Sequence, residues 1–152
     1  MPGSLFLVGL LGLFSLADLR YRSIPGAGIF FAGAVILAFP ADPWRVLAVV
    51  LAVLWGLNRW PGFLALLAAF QPAAWPVLLV GTGVRHGLIG GADLFALGGV
   101  AALFGWQAGL LSLLGVQGWL WWWRWRKRPM PMPALPGIFM GASVWLVIQW
   151  LV

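Results

Sequence analysis

Apolar runs follow one another along this chain with little between them, and the interruptions are made of proline, glycine and a few charges. The runs cover positions 5–17, 29–39, 46–57, 63–84, 94–106, 108–123 and 135–152. Most are too long for strands, and the residues that bound them are those that start and stop helices. The separators read RYRSIPG, FPADPWR, NRWPG, RHGLIGGAD, GWQAG and RWRKRPMPMP. None is long or polar enough to divide the chain, so residues 1–152 are read as one helical domain without internal repeats.

Composition decides what should surround those helices. Hydrophobic residues make up 63% of the chain and charged ones 8%, whereas a soluble domain carries roughly 25% charged residues. The prediction is therefore an all-α integral membrane protein. It would be a polytopic bundle of about six transmembrane helices, or seven, with one broken or re-entrant segment within 44–84. Several runs fall short of the roughly 20 residues that cross a bilayer, so flanking residues must extend them or the bilayer must thin. The 12 Trp fit interfacial belts, since several sit at run ends. MPGS brings no basic region before the first run, which is read as a spanning helix and not as a signal peptide.

The basic residues orient this bundle. Arg20 and Arg22 follow the first run, and Arg124, Arg126, Lys127 and Arg128 follow GLLSLLGVQGWLWWW. Lys and Arg concentrate in cytoplasmic loops, so the expected location is the inner, cytoplasmic membrane, crossed several times. Membrane lipids, and not nucleic acid, are the neighbours that a basic block in this position implies. Counting back from the block puts Asp93 on the cytoplasmic side with Asp18. Three apolar runs lie between Arg22 and Asp93 where parity requires an even number of crossings, hence the broken segment.

The chain has three acidic residues, Asp18, Asp42 and Asp93, and no Cys. Disulfides, thiolate metal sites and cysteine nucleophiles are excluded. Asp42, between two prolines, reads as a turn residue. Asp18 and Asp93 each flank an apolar run, where a carboxylate is costly and usually has chemistry to perform. Two carboxylates a few ångströms apart cannot both ionise cheaply, so they titrate as a unit around one proton. The ionised member can take a proton from water while the protonated one polarises a peptide carbonyl, with neither metal nor cofactor. The bland alternatives are a helix cap or an Arg20 or Arg22 ion pair for Asp18, and a helix-dipole contact for Asp93. GTGVRHG follows no strand and is not read as a nucleotide loop.

The residues around the two acids carry a resemblance. DLRYRSIPG resembles the Asp-to-Ile-Pro-Asn segment of type IV prepilin peptidases and preflagellin peptidases, and LIGGADLFAL resembles their Gly-x-Gly-Asp signature. MPMPALPGIFMGA resembles the family's Pro-rich entry into the last helix. The resemblance runs from the first helix to the last, in order. It implies a membrane aspartic endopeptidase in which Asp18 and Asp93 form the catalytic dyad. Gly90, Gly91 and Ala92 would let the backbone beside Asp93 approach a substrate strand or a neighbouring helix, and Pro25 would start the second helix. Arg20 and Arg22 would meet lipid headgroups or steady their loop, and His86 would tune the dyad or sit as a loop histidine.

The implied substrate is a prepilin-like or preflagellin-like precursor, cut at its leader on the cytoplasmic face. The departures are Ala92 for the second glycine, Phe95 where many members have Lys, and Gly26 for Asn. Archaeal-type members have a Gly-Gly-Ala-Asp form. With 152 residues and no Cys, the chain corresponds to a peptidase-only form without the family's methyltransferase domain. The rival readings are a small proton-coupled transporter that relays protons through the two acids, and an inactive family member that serves as an assembly scaffold.

Overall fold

The computed structural model describes residues 2–21, 27–57, 62–87, 90–129 and 132–152, with the backbone alone described at 2, 4, 18–21 and 64. Among the described residues the chain is all-helical. The elements in order are α1 (Pro2–Tyr21), α2 (Ala27–Ala38), α3 (Pro43–Gly56), α4 (Phe63–Ala68), α5 (Ala74–Arg85), α6 (Gly91–Phe104), α7 (Trp106–Trp125) and α8 (Leu135–Leu151).

Proline and glycine set most of these boundaries. Asp42 caps α3 by accepting the Arg45 backbone N–H at 3.0 Å, and Pro43 follows at the first helical position, where a missing N–H costs nothing. Asp42→Ala should therefore destabilise the fold by about 1 kcal/mol. A melt followed by circular dichroism should read that as a Tm lower by about 2–4 °C. The apolar run over 63–84, which the Pro72/Pro76 pair is expected to break, divides into α4 and α5. Pro72 interrupts the hydrogen-bond ladder between them, Pro76 sits in the first turn of α5, where no N–H is needed, and turns close from Gln71 N–H to Ala68 O and from Trp75 N–H to Pro72 O, both at 3.1 Å. One residue joins α6 to α7: Gly105, at φ +89, a backbone conformation open to glycine and costly for other residues.

α6 is the central helix. Leu94, Leu97 and Val100 on it are fully buried, and its Gly98 and Gly99 let α2 and α3 close in. A Cβ on Gly98 would stand 2.7 Å from Val53, and one on Gly99 would meet the Phe30 ring. Arg45 ties the start of α3 to the last carbonyls of α6, donating from Nε to Ala102 O at 3.0 Å and from Nη2 to Leu103 O at 3.4 Å. Apolar residues outnumber the places in a core of this size, so large ones also lie outside, among them Phe6, Phe70 and Trp150.

The predicted membrane architecture is overturned. Among the described residues no helix is long and apolar enough to cross a membrane. α4 has 6 residues, α2 and α5 have 12, α3 and α6 have 14, and α8 has 17. At a rise of about 1.5 Å per residue, even α8 falls short of the roughly 30 Å of hydrocarbon. α1 and α7 reach 20 residues, but α1 spends its last turn on Asp18 and Arg20, and Gln107, Gln117 and Arg124 dilute α7. The extension that the short runs needed is absent because Pro and Gly end the helices first. The six or seven transmembrane crossings fall with this, and so does the multi-pass location in the inner, cytoplasmic membrane.

Candidate functional site

The packing registers decide which helix ends meet. α1 and α2 run antiparallel, since a Cβ on Gly3 would lie 3.1 Å from Leu37 and one on Gly33 would lie 3.2 Å from Leu7. α3 runs antiparallel to α6: Arg45 reaches Ala102, Val53 meets Gly98, and Leu57 meets Gly91. The short turn from α2 to α3 then makes α2 parallel to α6. The last turn of α1 and the first turn of α6 consequently lie at the same end of the bundle. α5 and α7 finish at that end as well, because Arg85 reaches Trp55 near the end of α3 and α7 doubles back from α6 at Gly105.

Asp93 occupies the first turn of α6 and is half-buried, immediately before the fully buried Leu94. Its backbone N–H donates to Gly90 O at 3.2 Å. A Cβ on Gly90 would lie 3.7 Å from Asp93 Oδ2, so the carboxylate turns back over the start of its own helix, where the aligned N–H dipoles favour a negative charge. Gly90 is extended, at φ −79 and ψ 151, a conformation open to any residue. The close approach is at Gly91, where a Cβ would come within 3.3 Å of Leu57. The glycine pair therefore admits a neighbouring helix at one position and leaves exposed backbone beside the carboxylate at the other. Ala92 is half-buried between them and Asp93.

The other expected site residues divide between this end and positions the structure does not describe. Asp18 and Arg20 lie in the last turn of α1 by their backbone, and their side chains lie outside the described residues. Arg22 and Pro25 lie outside them altogether. His86 caps the end of α5, its side chain exposed and its backbone N–H donating to Thr82 O at 3.1 Å. Asp42 is at the opposite end, in the α3 cap.

Arg85 was missed in the sequence as a structural tie. Its guanidinium lies 4.7 Å over the Trp55 ring and its Nη1 donates to Trp55 O at 3.3 Å. It thereby joins α5 to the carbonyl end of α3 beside the Gly91 contact. A basic residue in the last turn of a helix was the available signal.

The described residues contain no group of three or more His, Cys, Asp or Glu that could hold a metal ion. What this end offers chemically is a half-buried carboxylate at a helix start, an open strip of backbone at Gly90, and the last turn of the helix that carries a second acid. No family model matches the chain, and neither the curated proteins nor the solved structures contain a match, so the pilus-peptidase resemblance and its descriptive terms gain no support from these comparisons.

Proposed function

We propose that this chain is an aspartic endopeptidase whose dyad is Asp18 and Asp93, acting on the leader junction of a prepilin-like or preflagellin-like precursor. The observation that carries the reading is the common end of α1 and α6. The chain holds three acidic residues, and two of them belong to helix turns at that end while the third caps a helix at the other. The resemblance of DLRYRSIPG and LIGGADLFAL to peptidase motifs supplies the reaction class.

In the proposed chemistry one carboxyl is ionised and the other holds the shared proton. The carboxylate accepts a proton from water as the water oxygen attacks the scissile carbonyl carbon, and the protonated partner donates a hydrogen bond to the carbonyl oxygen. Collapse of the tetrahedral intermediate breaks the C–N bond, and a carboxyl returns a proton to the leaving amine. The exposed backbone at Gly90 is where an extended substrate segment can lie beside Asp93 without meeting a side chain.

Co-expression of the full chain with a candidate precursor tests this. The expected result is a mobility shift of the precursor that disappears when either Asp18 or Asp93 is changed to Asn. A shift that survives either change would overturn the dyad.

A further inference from the structure

The last turn of α7 builds a surface that the peptidase reading does not use. Four cations, Arg124, Arg126, Lys127 and Arg128, fall within five positions, and all four are exposed. A helix terminus carries about half a negative charge, so one cation satisfies it. Among the described residues none of the four is ion-paired, and the salt bridge of Asp42 with Arg45 lies at the far end of the bundle.

The surface is also held in shape. Trp119 and Trp122 stack at 4.9 Å with ring planes 23° apart. The Arg126 guanidinium lies 5.6 Å from the Trp122 centroid and 5.5 Å from that of Trp125, and Arg128 lies 5.6 Å from Trp122 and 5.3 Å from Trp123. Lys127 takes a left-handed turn at φ 52, its N–H donating to Arg124 O at 2.9 Å. Trp123 Nε1 donates to Pro129 O at 3.0 Å, which pins the chain leaving the helix.

Two phosphate-rich surfaces suit such a cluster, and the indoles choose between them. A single-stranded nucleic acid binds by stacking its bases on free aromatic faces. Here Trp122 already faces Trp119 and arginine, Trp123 is buried, and Trp125 carries Arg126. Trp125 is 71% exposed, with Arg126 over one of its faces, and Trp121, 76% exposed, lies on a helix flank that continues into the exposed Leu114. Cations at the tip with an indole and aliphatic side chains behind them match the order of charges and apolar matter at a headgroup boundary.

We propose that the end of α7 docks the bundle from outside onto an anionic phospholipid surface, with the guanidinium and ammonium groups on headgroup phosphates. This is a surface contact made by one helix terminus, and it stands whether or not the two acids are catalytic.

Cosedimentation of the full chain tests it, with vesicles of phosphatidylcholine alone or with added phosphatidylglycerol. Binding should require the anionic lipid and should weaken as salt is raised. Each cation near such a surface is worth about a five-fold change in binding, so Arg126→Gln with Arg128→Gln should weaken it about 25-fold. Lys127→Gln touches no indole and should weaken it about five-fold with the melt unchanged. Equal binding to neutral vesicles, or undiminished binding by the Lys127 variant, would overturn the proposal. So would tighter binding of a single-stranded oligonucleotide than of the anionic vesicles.

Discussion

Replacing Gly137 and Gly141 together by alanine should remove a large part of this chain's stability. α7 and α8 pack backbone to backbone. A Cβ on Gly137 would stand 2.6 Å from Val116 Cα and 2.8 Å from Val116 N, and one on Gly141 would run into Leu111 O and Ser112 Cα. These are main-chain atoms of the facing helix, so no side-chain rotation relieves the overlap and the helices must separate. Separation would also break the bond from Ser112 Oγ to Ile138 O at 3.3 Å, leaving a buried hydroxyl without its acceptor. Overpacking costs about 1–3 kcal/mol where side chains can adjust. Where backbone opposes backbone the upper figure is the floor, and two such sites cost about 6 kcal/mol. Domains are stable by only about 5–15 kcal/mol. Each single variant should lower Tm by about 6–12 °C, and the double variant by about 12–24 °C. Gly118→Ala is the control. A Cβ there meets nothing within 4 Å, and an alanine in an exposed helix interior should raise stability by about 0.5–1 kcal/mol. A double variant that melts like the native chain would show that the α7–α8 contact is looser than this geometry.

The sequence carried the helices further than it carried their surroundings. Proline and glycine act through local sterics, so their effects can be read from a single chain: Pro43 behind the Asp42 cap, Gly105 between α6 and α7, Pro72 between α4 and α5. The α7–α8 seam could not be read that way. Gly115, Gly137 and Gly141 look like any other glycines until two distant segments meet. Spanning length failed for a related reason. Apolar composition says that a segment avoids water, but the length of the helix is set by the next breaker, and breakers recur here too often for a bilayer. Crossing parity puts Asp18 and Asp93 at a common end only if the helices span a membrane, a premise that falls with the spanning helices. In the structure the corresponding helix turns share an end through the short α2–α3 turn and the antiparallel packing of α3 against α6. The Arg85–Trp55 tie needed the fold, since thirty positions separate its partners.

Changing Asp93 to Asn should reduce precursor cleavage by about 10³-fold while leaving the molecule folded. Asn keeps the size and hydrogen-bonding shape of the side chain but can neither ionise nor hold the shared proton, and general acid–base catalysis by a positioned group is worth about 10²–10⁴-fold. The helix dipole's share of the structural cost is small. Asp93 stands in the first turn of α6, where losing the negative charge forfeits about 0.3–1 kcal/mol of interaction with the helix dipole. That share corresponds to a Tm change of a few degrees, and a melt of the variant beside the cleavage assay shows that the protein is still folded. Asp18→Asn should cause the same loss, because in the proposed dyad the two carboxyls share one proton and removing either disables both. Asp42→Asn completes the set. It sits at the opposite end of the bundle, and Asn caps helices as well as Asp does, so this variant should cleave like the native chain. The sequence contains three acidic residues, so three single substitutions cover its side-chain carboxylates. Loss at 18 and 93 with retention at 42 is the pattern that the proposed dyad at the shared end produces. Full cleavage by the Asp93 variant would remove its carboxylate from the chemistry, and loss of cleavage in the Asp42 variant would put the reacting group at the wrong end of the molecule.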